Sequence, residues 1–84
     1  MKTPIPPLIK ELQTIILEKR TEQNKSQRDV IKGTGLSQSI MNAIENHTRK
    51  DIQLMTLVKI AEALGTTAID LIKGAEIRVK KGRN

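Results

Sequence analysis

Cysteine, phenylalanine, tyrosine and tryptophan are all absent from this chain, and histidine occurs once. Without cysteine there is no disulfide, no thiolate metal site and no cysteine nucleophile, and His47 alone cannot build a histidine-ligated zinc site. No metal and no other cofactor is expected. Without aromatic rings the chain lacks the stacking platforms with which RNA-recognition and OB-type modules hold splayed bases. Long apolar runs are missing too: nothing approaches the roughly 18 consecutive apolar residues of a membrane span. The opening MKTPIPPLIKEL places charges before any apolar stretch of signal-peptide length, so the expectation is a cytoplasmic protein without a membrane partner. At 84 residues the chain is expected to form one domain, too small for the two-lobed cleft of many enzymes.

Charge is present and unevenly spread. Fifteen Lys and Arg against nine acids give a net charge of +6, a balance that draws a small protein toward phosphate backbones or anionic surfaces. Residues 25–50 carry five basic side chains against two acids, and residues 73–84 carry five against one. Residues 51–72 reverse the balance, with one against three. Such polarity predicts one face for an anionic partner and another, over the last part of the domain, for a protein contact.

Apolar spacing is helical from near the start. Leu8, Ile9, Leu12, Ile15 and Ile16 fall on one stripe of a 3.6-residue helix, with Pro6 and Pro7 at an entrance where proline is tolerated. The polar stretch from Thr21 to Lys25 ends it. Ser26 followed by Asp29 is a helix start with an acid three residues on, and Gly33 and Gly35 stop that second helix early. Ser37 starts a third, carrying Ile40, Met41 and Ile44 near one side. The apolar-free run from Asn46 to Asp51 reads as a loop. Leu54, Leu57, Val58, Ala61 and Leu64 form a fourth helix closed by Gly65, and Thr67 with Asp70 opens a fifth through Ile69, Leu71 and Ile72. Residues 1–7 read as a lead, 8–73 as the domain, and 74–84 as a short basic tail. That tail is expected to be an arm following phosphates, or else a strand at Ile77 to Val79.

Residues 26–46, SQRDVIKGTGLSQSIMNAIEN, place two short helices around a glycine-bearing turn, with Val30, Leu36, Met41 and Ile44 spaced to pin them together. This is a helix-turn-helix pattern, whose second helix enters the major groove of duplex DNA. The outward residues of that helix are Gln38, Ser39 and Asn42, with Ala43 beside them. Gln and Asn each offer a donor and an acceptor on one amide, which matches adenine N6 and N7, and an alanine methyl packs against the thymine methyl. Any short surface helix is polar, so these residues gain their meaning from the motif around them.

The chain resembles the lambda-repressor-like, or Xre-type, helix-turn-helix family from about Leu8 to Ile72, through the segment above and through TLVKIAEALGTTAIDLI after it. The resemblance implies an all-α, five-helix domain that binds duplex DNA sequence-specifically as a transcriptional regulator, usually a homodimer on a near-palindromic operator. It places Gln38, Ser39, Asn42 and Ala43 at bases. It gives Gln27 a phosphate contact and a bracing role, and puts Asn46, Thr48 and Arg49 on the backbone with Lys50 next to them. Small proteins of this type also serve as antitoxins that bind a partner protein and autoregulate their operon, so a toxin partner is the alternative reading. The family commonly has an apolar residue where Lys25 stands, a small one where Ile31 stands, an apolar one where Thr34 stands, and glycine where His47 stands. Ile31 is expected to widen the crossing of the second and third helices or to be accommodated by Thr34, and His47 to tolerate a positive φ.

Catalytic readings are bland by comparison. Glu18 and Glu22 lie one turn apart beside Lys19 and Arg20 and read as a solvated ion-pair face. Ser37 and His47 read as cap and loop, and GTG lacks the strand and following Lys-Ser/Thr of a phosphate-binding loop. The chain is expected to be a repressor, not an enzyme, and to associate with the nucleoid when bound to DNA.

Overall fold

The computed structural model describes residues 5–82, and within them the chain forms five helices and no strand: α1 (Pro7–Glu22), α2 (Gln27–Ile31), α3 (Gln38–Glu45), α4 (Leu54–Ala63) and α5 (Ala68–Lys81). Residues 1–4 of the expected lead and 83–84 of the expected tail lie outside the described residues. α1 begins with Pro7 in its first turn, and the first helical bond runs from Lys10 N to Pro6 O. Its buried stripe is Leu12, Ile15 and Ile16. Val30, Met41 and Ile44 are buried from α2 and α3, Leu57, Ile60 and Ala61 from α4, and Leu71 and Ala75 from α5. Each large apolar side chain so removed from water contributes roughly 1.5 to 3 kcal/mol. One core joins all five helices, and α1 against α5 is its most extensive contact.

Local chemistry sets the ends. Ser26 accepts from Asp29 N, and the Asp29 carboxylate accepts in return from Ser26 N, so two orphan donors are satisfied at the start of α2. Ser37 and Thr67 accept from the third residue of α3 and α5. Three helices stop in the same way. Asn24, His47 and Gly65 each adopt a left-handed φ, of 56, 57 and 74°. In each case the following residue's N–H bonds back five residues, Lys25 to Arg20 O, Thr48 to Ala43 O and Thr66 to Ala61 O, the closure of a Schellman motif.

The turn between α2 and α3 is built around Thr34. Lys32 (φ −58°, ψ 124°) and Gly33 (φ 78°) form a type II turn, with Thr34 N bonded to Ile31 O. The Thr34 hydroxyl donates to Ile31 O at 2.6 Å and accepts from Leu36 N at 3.1 Å. Thr34 is thus a polar brace of the turn, while Ile31 is half-buried at the edge of the core.

Gly74 does not end α5. The helix runs through it to Lys81, so the expected strand at Ile77 to Val79 and the expected free arm are both corrected over residues 74–81. Two tertiary contacts outweigh the glycine: Ala75 is fully buried, and Arg78 makes a two-bond ion pair with Glu18 of α1, at 2.6 and 3.1 Å. Glu18 is thus a solvated ion-pair residue as expected, but its partner is Arg78 of α5 rather than Lys19 or Arg20. The Arg78 hydrogen bonds hold the Glu18 carboxyl below its usual range. No helix among the described residues is long and apolar enough to cross a membrane.

Candidate nucleic-acid interface

α3 is held by its apolar side and leaves a polar one outside. Met41 and Ile44 are buried, whereas Gln38, Ser39 and Asn42 are exposed and Ala43 is half-buried beside them. The 3.6-residue period turns Ser39 and Asn42 away from Met41 and Ile44, and Gln38 is exposed at the first position of the helix. Gln27 stands at the first position of α2, half-buried, and accepts a hydrogen bond on Oε1 from Gln38 Nε2 at 2.9 Å. Gln27 thus contacts Gln38 through its carbonyl oxygen.

Behind that contact is a buried ion pair. Glu45, 8% exposed, receives Arg20 Nε on one oxygen at 2.6 Å and Nη2 on the other at 2.8 Å. The remaining Arg20 nitrogen donates to Lys25 O at 2.8 Å. Gln27 Nε2 then donates to Glu45 Oε1 at 2.8 Å. The hydrogen bonds that Arg20 donates to Glu45 raise its pKa further above its already high value. A continuous chain of hydrogen bonds thus runs from α1 through Glu45 and Gln27 to the tip of α3. Lys25, where the family has an apolar residue, donates Nζ to Ala63 O and satisfies a carbonyl at the end of α4.

The loop after α3 carries Asn46, Thr48 and Lys50 exposed and Arg49 half-buried. Thr48 Oγ1 donates to Ala43 O at 3.1 Å, so part of its polarity is used locally. His47 occupies the left-handed position and its Nε2 lies 3.0 Å from Thr14 Oγ1. Because the Thr14 hydroxyl also reaches Lys10 O at 3.1 Å, the threonine donates to that carbonyl and accepts from the imidazole. Arg49 O accepts from Gln13 Nε2 at 2.9 Å.

Sequence reasoning singled out neither Gln13, Thr14 nor Glu45, and placed Arg20 on a solvated face. Two signals were there to use. Gln13 interrupts the apolar stripe at the helical neighbour of Ile9 and Ile16, and Glu45 is one of two acids in the basic segment 25–50. No group of residues that could hold a metal ion occurs among the described residues. A family model described as helix-turn-helix matches residues 16–71, from the second half of α1 to the first turn of α5. No curated protein and no solved structure matches the chain.

Proposed function

We propose, starting from the fact that the chain belongs to the lambda-repressor-like helix-turn-helix family, a family of DNA-binding regulators, that it represses transcription by laying α3 in the major groove of a specific operator. The hydrogen-bonded chain from Glu45 to Gln38 is the observation that carries this reading. A carboxylate in an ion pair only accepts hydrogen bonds, so Gln27 must turn its amide nitrogen toward Glu45 and its oxygen toward Gln38. Gln38 must then spend one N–H on Gln27. What remains for the groove is one N–H and one carbonyl oxygen, a pair that fits adenine N7 and N6 and not the two acceptors of guanine. Ser39, Asn42 and the Ala43 methyl lie within the same helical turn for neighbouring base edges. Gln27, Asn46, Thr48, Arg49 and Lys50 are assigned to phosphates, which fix position and carry no sequence information.

A dimer is part of this reading: each chain carries one helix-turn-helix, α2 with α3, and so one recognition helix, whereas an operator of two half-sites about 34 Å apart calls for two. Exposed Leu54, Met55 and Ile69, with Ile69 65% exposed, support a protein contact over α4 and α5. A toxin-type partner is the second reading of that surface, and copurification of an unrelated chain in place of a second copy distinguishes it. The protein acts in the cytoplasm, at the chromosome. Selection of binding sites from random duplex DNA tests the main reading. The expected site contains adenine at the base facing Gln38, and Gln38→Ala should lose about 1 to 3 kcal/mol of operator binding while leaving unrelated duplex unchanged. A selected pool without sequence preference would sink the reading.

A further inference from the structure

Gln13 is the one polar side chain of α1 that is wholly buried, at 0% exposure, among Leu12, Ile15 and Ile16. Its Nε2 bonds to Arg49 O, while its Oε1 is buried with no hydrogen-bond partner among the described residues. An unpaired buried acceptor destabilises a fold, and a leucine at this position would not carry that cost. Core stability therefore does not account for the glutamine. Its single bond does something else.

The Schellman closure of α3 ends at Thr48, and Gln53 already accepts the first bond of α4 from Leu57 N. Between them, among the described residues, the Gln13 bond is the only hydrogen bond made by residues 49–52. One residue along α1, Thr14 bonds the imidazole of His47. Two neighbouring side chains of α1 thus hold the two ends of the stretch 47–49. We propose that Gln13, with Thr14, is a positioning residue for DNA binding: it latches the loop 46–53 to α1 so that Arg49 and its neighbours meet the phosphates already ordered. This rests on the DNA-binding reading above. A loop without the latch must be ordered at the moment of binding, and phosphate contacts contribute equally to every sequence.

The test uses the full chain with Gln13→Leu, and Thr14→Val as a second variant that leaves the buried stripe untouched. Operator and unrelated duplex are titrated, and melting and nitrogen relaxation are recorded on the free proteins. For Gln13→Leu the expected result is a Tm at or above wild type, with affinity for both duplexes reduced by the same factor, about 3- to 10-fold. The preference between bases is unchanged. Backbone order parameters over 49–52 should fall from about 0.85 toward 0.6. Thr14→Val should weaken both duplexes in the same proportion to each other. A lowered Tm that accounts for the binding loss, a loss confined to the operator, or unchanged binding would each overturn the latch. If the wild-type chain bound no duplex at all, the DNA-binding reading would fail, and unchanged order over 49–52 in Gln13→Leu would dispose of the latch separately.

Discussion

Arg20 and His47 show how single residues hold this fold against local cost. The Arg20–Glu45 pair is desolvated on both sides, with side chains 16% and 5% exposed, so removing one partner leaves a charge without its counterion rather than merely deleting a contact. Arg20→Ala is expected to cost about 3 to 5 kcal/mol, measured by urea unfolding; a change below about 1 kcal/mol would show that the pair behaves as a surface one. His47 holds a left-handed φ at which Asn24 and Gly65 do the same work elsewhere. A β-branched side chain has no relief there, so His47→Val should lose about 1 to 2 kcal/mol, and a melt equal to wild type would contradict this. Local chemistry was legible in the sequence: Ser26 with Asp29, Ser37, and the left-handed φ of His47 all act through residues a few places away, whereas the Thr14 partner of the His47 imidazole lies 33 positions off. The partners of Arg20, Glu18 and Gln13 were not, because they lie 25, 60 and 36 positions along the chain. Only the packing of helices brings them together.

At the scale of the element, α5 is where local and tertiary preferences disagree. Gly74 reads as a stop because glycine is the poorest helix former after proline. The helix continues because Ala75 enters the core and Arg78 finds Glu18. A Cβ added at Gly74 would meet Ile15 Cδ1 at 3.5 Å, an ordinary contact. Gly74→Ala should therefore stabilise the chain by up to about 1 kcal/mol, seen as a higher Tm; a lower one would mean that α1 and α5 need the closer approach. The ion pair adds a pH dependence of known sign. With the Glu18 carboxyl held below its ordinary value of 4.5, the unfolded chain takes up that proton before the folded one. The contribution is full above that value and is lost as pH falls through the lowered folded value. Glu18→Gln should thus lower Tm at neutral pH and have no effect in strong acid, and an equal effect at both would show that the pair is not its cause. The helix-turn-helix itself was legible because caps, glycines and apolar spacing agree over residues 26–46.

For the whole molecule, of radius of gyration 12.4 Å, the α2–α3 pair supplies one helix-turn-helix per chain. Sedimentation of the selected operator is accordingly expected to give two chains per duplex; a single chain at saturation, with full protection of both half-sites, would remove the dimer. A surface suited to a second copy was not legible in the sequence, since exposed apolar side chains such as Ile69 and Ile77 are separated by residues that look the same whether solvated or covered. The extensive contact between the first and last helices has one more consequence, in the order of synthesis. α1 leaves the ribosome before α5, and Ile15, which lies against Gly74 in the finished fold, lacks that cover until α5 follows. At about 5 to 20 residues per second, that interval lasts seconds. A nascent chain stalled before Leu71 would already carry both helices of the DNA-reading motif, yet hold an uncovered apolar stripe that chaperones recognise. The framework that holds α3 is complete only once α5 has emerged, so a chain interrupted before that point would hold the motif without the helix that packs against α1.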